Sequence, residues 1–192
     1  MASLKGSRTE KNLLAAFAGE SQARNRYTYF ASAARKAGLE GIAAIFLETA
    51  ENEKEHAKVF FNHLEGGMAE ITVSYPAGVI GDTLANLKAA AAGEHEEWGK
   101  LYPDAAAVAG EEGFPKVAES FTQIAKVESA HERRYNKLAE RLGRNEVFRR
   151  SRKIAWKCRN CGYVVEAAEA PQTCPACSHP QAYYEPWTDQ NY

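Results

Sequence analysis

The sequence predicts an all-α four-helix bundle with one long crossover, followed by a small C-terminal metal-binding β domain. Three observations predict it. Glu53-Lys54-Glu55-His56 returns seventy-five residues later as Glu128-Ser129-Ala130-His131, and each Glu-x-x-His puts a carboxylate and an imidazole one turn apart on the same helical face. A lone glutamate precedes each copy at a matching distance: Glu20 precedes Glu53 by 33 residues and Glu94 precedes Glu128 by 34. All four cysteines, Cys158, Cys161, Cys174 and Cys177, fall in the last 35 residues as two Cys-x-x-Cys pairs.

With 192 residues and 45% hydrophobic content, the chain is long enough for one full core plus an appendage. The expected division is a bundle over 1–146, a linker over 147–155 and a cysteine domain over 156–192. A net charge of −1, from 24 basic and 25 acidic residues, creates no field to draw nucleic acid or an anionic membrane. No run of 18 apolar residues occurs, and the segment after Met1 has no signal-peptide core, so a cytoplasmic location is expected. In a reducing compartment the cysteine pairs favour metal over disulfides.

Ser7-Arg8-Thr9-Glu10 has the form of a capping box and opens the first helix. Leu13, Phe17, Tyr27, Phe30 and Ala34 form one stripe along it, with Glu20 where a bundle helix normally carries Leu. Gly38 and Gly41 mark a short turn to an antiparallel neighbour over roughly 40–65, whose inner face is Ile42, Ile45, Phe46, Thr49, Phe60 and Leu64. Glu53 and His56 fill the gap in that face. Gly66-Gly67 ends the helix, and the broken stretch to Gly81 reads as the crossover. Asp82 caps a third helix carrying Leu84, Leu87, Ala90, Ala91, Glu94, Glu97, Trp98 and Leu101, which Tyr102-Pro103 interrupts or kinks. Pro115 begins the fourth, with Val117, Phe121, Ile124, Glu128, His131, Tyr135, Leu138 and Leu142 inward and Gly143 closing it.

Two helices giving one Glu each and two giving Glu-x-x-His is the arrangement of the ferritin-like di-iron carboxylate bundles. Ionised carboxylates in an apolar stripe cost several kcal/mol each unless a cation compensates. Here Glu20, Glu53, Glu94, Glu97 and Glu128 all fall on inner faces. Oxygen-rich ligation with one imidazole per ion suits iron or manganese better than zinc. Any single glutamate is ordinarily a solvated helix residue; it is the matched spacing of the set that points to metal. His63, His95 and His179 fall outside the set. Tyr27 and Tyr102 read either as core aromatics or as hydroxyl donors that steady the carboxylates. Basic residues between 144 and 157 read as a solvated linker. Beyond it, two Cys-x-x-Cys knuckles with twelve residues between them indicate a tetrahedral thiolate site, for zinc or for iron.

Glu20, Glu53, His56, Glu94, Glu97, Glu128 and His131, followed by the four cysteines, resemble rubrerythrins over the whole chain, including Gly19-Glu20-Ser21-Gln22-Ala23-Arg24-Asn25-Arg26-Tyr27 and Cys174-Pro175-Ala176-Cys177. The resemblance implies a non-haem di-iron site, a rubredoxin-like iron tetrathiolate in which zinc can replace iron on overexpression, and peroxidase activity protecting against hydrogen peroxide. It also implies a homodimer in which the tetrathiolate of one subunit serves the di-iron site of the other. The implied electron donor is rubredoxin or an NAD(P)H-dependent reductase. Glu97, matched by Ala23 in the first half, is implied as a ligand that replaces His56 when the iron held by Glu20 is oxidised. Ser178 stands where rubredoxins usually carry Gly. The alternatives are a ferroxidase or iron-storage protein and a non-enzymatic zinc-ribbon module on a structural bundle.

Overall fold

The computed structural model describes residues 3–188; the outermost ends of the two expected domains lie outside the described residues. Helix α1 (Arg8–Lys36) begins at Ser7, whose side chain accepts from the Glu10 N–H, while the Glu10 carboxylate accepts from Gly6 instead of closing the box on Ser7. Gly38, at φ 73°, then reverses the chain: Leu39 N–H bonds Ala34 O and Gly38 N–H bonds Arg35 O. The short return makes α2 (Glu40–Asn62) antiparallel to α1. Residues 63–82 form the crossover, without helix or strand. Tyr75 pins it to the bundle: its hydroxyl donates to Ala15 O at 2.5 Å and its ring lies beside Gly19, where a Cβ would meet it at 3.5 Å.

The expected interruption of the third helix takes a different form. Helix α3 (Thr83–Glu96) runs through a π turn at Glu97–Leu101 into α4 (Tyr102–Glu111). Tyr102 N–H reaches back five residues to Glu97 O, so the helix widens by one residue just before Pro103, which has no N–H to give the ladder. The third bundle helix is therefore continuous and carries one extra residue. Helix α5 (Pro115–Gly143) completes the bundle and ends at Gly143 as expected, but the left-handed position is taken by Asn145 at φ 54°, with Glu146 N–H on Arg141 O and Asn145 N–H on Leu142 O. Asn is the residue after Gly that best tolerates that conformation.

The apolar core has two parts on either side of the inward carboxylates. One gathers Tyr27, Phe30, Ile42, Phe46, Leu87 and Tyr135; the other gathers Leu13, Phe60, Tyr102, Ala109, Phe121 and Ile124. Across the surface, Arg134 on α5 grips Glu48 on α2 with both guanidinium nitrogens, at 2.7 and 2.9 Å. Among the described residues no helix is long and apolar enough to cross a membrane.

The basic stretch expected as a solvated linker over 147–155 is largely strand. Strand β1 (Arg149–Cys158) is central in an antiparallel sheet of order β2-β1-β3, between β2 (Val164–Glu169) and β3 (Tyr184–Pro186). Alternation holds from Ile154 on: Ile154, Trp156 and Cys158 face the small core, Trp156 fully buried with its N–H on Ala167 O at 3.0 Å, while Arg152 and Lys153, where the register shifts between Arg149 and Ile154, stay in water. The two knuckles turn alike. Gly162, at φ 80°, bonds Cys158 O, and Ser178, at φ 59°, bonds Cys174 O. A Cβ on Gly162 would meet nothing within 4 Å, so its left-handed backbone, not close packing, is what calls for glycine.

Ser178 holds the same conformation with a side chain, which costs about 1 kcal/mol. Ser178→Gly in the full chain is expected to stabilise the tail by up to about 1 kcal/mol, and Gly162→Ala to destabilise it by a similar amount. Denaturant titration followed at the thiolate-to-metal absorption checks both.

Candidate di-metal and tetrathiolate centres

Two donor sets meet inside the bundle. Glu20, Glu53, His56 and Glu128 form one and Glu53, Glu94, Glu128 and His131 the other, each with donor atoms within 4.8 Å of one another. Glu53 and Glu128 belong to both. Glu20, Glu94 and Glu128 are 0% exposed and Glu53 is 1% exposed, so water solvates none of these charges. The two imidazoles lie nearly parallel, centroids 6.1 Å apart and planes at 27°.

The side chains converge in the way ligands converge on an ion. His56 Nδ1 lies 2.8 Å from both Glu53 Oε2 and Glu128 Oε1; His131 Nδ1 lies 2.8 Å from Glu128 Oε2 and 3.2 Å from Glu53 Oε1. Yet both Glu128 oxygens, Glu53 Oε1, Glu94 Oε2, Glu20 Oε2 and His131 Nδ1 make no hydrogen bond despite complete burial. These donor atoms crowd two small volumes that the chain itself leaves unsatisfied. Perpendicular donors bound at about 2.1 Å to one ion stand about 3 Å apart, which is this spacing. The residues fit two oxygen-preferring divalent ions bridged by Glu53 and Glu128.

Without cations the cluster is electrostatically frustrated. Burial, reinforced by Glu97, Glu53 and Glu128, pushes the Glu20 carboxyl well above its usual range, and burial lifts Glu94 to about 8 against the pull of His131. Burial would also raise Glu128, but His131 and His56 hold it at about 2. The imidazoles respond in kind: burial disfavours their charge, yet Glu128 and Glu53 raise His56 to about 9, and these with Glu94 raise His131 to about 12. Protons thus take the place of metal charge.

Glu97 is the one predicted ligand left outside both sets. It opens the π turn, is half-buried, and lines a cavity of about 280 Å³ beside the cluster, its carboxyl pushed well up by burial and by Glu94 and Glu128. The tyrosines resolve as hydroxyl donors, but crosswise. Tyr102 donates to Glu20 Oε1 at 2.6 Å and Tyr27 to Glu94 Oε1 at 2.5 Å, so each half of the chain orients the lone glutamate of the other. The π turn itself escaped the sequence reading, though it left a trace. Glu20 and Tyr27 are seven residues apart, their counterparts Glu94 and Tyr102 eight, and the additional residue is the one the wider turn absorbs.

The remaining histidines serve elsewhere. His63 Nε2 contacts Ser120 Oγ at 2.8 Å across α2 and α5, His95 sits edge-on to Trp98 at 5.2 Å, and His179 pairs its Nδ1 with Cys177 O at 3.1 Å while its ring meets Tyr183.

In the tail, Cys158 Sγ lies 3.8 Å from Cys177 Sγ and Cys161 Sγ 3.7 Å from Cys174 Sγ. A tetrahedral ion with sulfur at about 2.3 Å spaces its ligands about 3.8 Å apart, whereas a disulfide would need about 2.05 Å. The four thiols fit a tetrathiolate metal site. The His179 backbone N–H helps bring the Cys177 thiol down to about 6.

A four-helix bundle with two donor sets bridged by shared glutamates, joined to a tetrathiolate knuckle domain, defines a ferritin-like di-metal carboxylate protein with a rubredoxin-like tail. A family model described as Rubrerythrin matches residues 11–139, and one described as Rubrerythrin, rubredoxin-like domain matches residues 156–185. The chain belongs to the rubrerythrin family. It is 64% identical over 184 residues to a rubrerythrin of Porphyromonas gingivalis, covering 96% of this chain and 92% of the relative. It is 55% identical over 185 residues to one of Nitratidesulfovibrio vulgaris, covering 96% and 97%. Among solved structures, nigerythrin in its fully reduced, all-ferrous state superposes with a TM-score of 0.63 at 31% identity, over 97% of this chain and 92% of that one.

Two expectations follow. In the metal-free protein, the raised imidazole of His56 contributes stability that is full below 6.5 and lost as pH rises through about 9; Glu94, favoured protonated up to about 8, loses its fit in the same direction. Melting temperature of the metal-free chain therefore falls between pH 6.5 and 9, and saturating metal, which displaces those protons, removes the fall. Calorimetry with and without metal reads this directly. Separately, Tyr102→Phe takes the donor from Glu20 and is expected to weaken the bundle's metal affinity by about 10- to 100-fold while the tail keeps its metal, as measured by chelator competition.

Proposed function

We propose that this protein is a non-haem di-iron peroxidase that reduces hydrogen peroxide to water, with electrons delivered through an iron tetrathiolate, and so protects a cytoplasm against oxidative stress. The observation that carries this reading is the pairing of one bridged carboxylate–histidine site with one tetrathiolate in a single chain. Two ferrous ions, when bound, supply the two electrons that cleave the peroxide O–O bond.

The chain's own residues do the rest. Glu53 and Glu128, common to both donor sets, would be shared by the two ions, with Glu20 and His56 completing one set and Glu94 and His131 the other. Tyr27 and Tyr102 stop the lone glutamates from turning away. Glu97, outside both sets, would exchange with His56 at the Glu20 site once iron is bound: neutral imidazole would suit the reduced ion and a fifth carboxylate the oxidised one. Once displaced, His56 Nδ1 can carry a proton beside Glu53 and Glu128.

The tail packs at the far end of the bundle from its own carboxylates. Gly41 at the start of α2 touches Glu185, and Glu53 lies about 18 Å further along the helix axis. That separation supports a homodimer in which each tetrathiolate serves its partner's site, supplied by rubredoxin or an NAD(P)H-dependent reductase. Iron storage makes no use of such a tail.

Stopped-flow mixing of fully reduced protein with hydrogen peroxide and with dioxygen tests the assignment; peroxide is expected to react faster, and faster oxidation by dioxygen overturns it. Glu97→Ala should keep metal in both centres yet slow peroxide turnover by about 10- to 100-fold.

A further inference from the structure

The cavity beside Glu97 is lined by residues from both halves of the bundle. Equivalent positions face it in pairs: Gly19 with Gly93, Ala23 with Glu97, and Tyr27 with Tyr102. Its volume of about 280 Å³ far exceeds what a water-sized oxidant requires. For scale, an apolar cavity of about 150 Å³ takes up benzene. Ala15, Ala16, Ala23, Leu101, Ala105 and Phe121 give the cavity its apolar wall, and Asn12, Gln22, Arg26 and Glu96 also line it. No hydrogen bond from Glu97 to another described side chain is present, so its carboxyl is free to bond a polar ligand group beside the apolar wall.

The two glycines differ in what they leave open. A Cβ at Gly19 would meet the Tyr75 ring at 3.5 Å, so the crossover already covers that side. A Cβ at Gly93 would meet nothing within 4 Å. Gly93 lines the cavity and leaves space for a side chain on the side of Glu97.

We propose that this cavity binds the organic group of small alkyl and aryl hydroperoxides, with the hydroperoxide end at Glu97, making them substrates alongside hydrogen peroxide. The inference rests on the peroxidase reading. The reaction is balanced by the same electrons: ROOH accepts two electrons as the pair of ferrous ions becomes ferric, the O–O bond breaks, and two protons complete ROH and H2O. The apolar R group stays in the cavity while the O–O bond breaks and then leaves as part of the alcohol.

Gly93→Leu fills the open side and, by replacing a helical glycine, favours α3, so the fold is kept; Gly93→Ala is the control that leaves most of the space. Binding of cumyl alcohol, the product analogue, is measured by saturation-transfer NMR on iron-loaded protein. Cumene hydroperoxide and hydrogen peroxide are each mixed with the reduced protein in stopped flow. The expected result is cumyl alcohol binding to wild type and Gly93→Ala but not to Gly93→Leu. Gly93→Leu should also lose at least about tenfold in rate with cumene hydroperoxide while staying within about twofold of wild type with hydrogen peroxide. Wild type that does not bind cumyl alcohol overturns the proposal, as does an equal loss with both oxidants or no loss with either. A wild type that binds cumyl alcohol but reacts with neither oxidant sinks the peroxidase reading and, with it, the assignment of the cavity to a substrate.

Discussion

Four carboxylates with no access to water must be neutralised, and most features of the bundle follow from that. Glu20, Glu53, Glu94 and Glu128 come from four different helical segments and meet in the space between two apolar clusters. Mutual repulsion and desolvation would drive them apart or protonate them. Two cations reverse the sign: the same convergence that is costly in the metal-free chain becomes a binding site, so metal binding and folding are linked. The unpaired oxygens of Glu128, each within 2.8 Å of a histidine nitrogen without bonding it, are the clearest expression of this linkage.

The bundle behaves as two halves related by an approximate twofold, and its chemistry depends on where that symmetry breaks. The crossed hydroxyls of Tyr27 and Tyr102 obey it, each half orienting the other's glutamate. The π turn at Glu97–Leu101 breaks it by one residue, and Ala23 against Glu97 breaks it by one charge. Both departures fall on the same side of the site, beside the same cavity. An inserted residue widens a helix only locally, so the ligand Glu94 before it and the donor Tyr102 after it keep their places while Glu97 stands clear of the cluster.

The tail solves a different problem with the same logic. A sheet of three short strands around Trp156 buries little, and the four sulfurs at tetrahedral spacing supply what the core lacks. Its first strand grows directly out of the segment following α5, where Val147 and Phe148 pack on the bundle, so the tetrathiolate is carried on a short connection and not on a free tether.

Helical periodicity, caps and the doubled Glu-x-x-His were enough to place the bundle, the crossover and six of the seven residues around the metal site, because ligands of one ion must share a helical face and that spacing is local. Cysteine spacing was enough for the tail's metal site for the same reason. Local pattern misread the segment 147–155, whose strand forms only by pairing with β2, further along the chain, and it did not show that the left-handed position after α5 falls at Asn145. It also left Tyr27 and Tyr102 undecided between packing and hydrogen bonding, since their partners lie 67 and 82 residues away. The position of Glu97 was decided by tertiary structure alone: periodicity put it on the inner face with Glu94, and the π turn set it beside a cavity that α1, the crossover, α3, α4 and Phe121 of α5 enclose together.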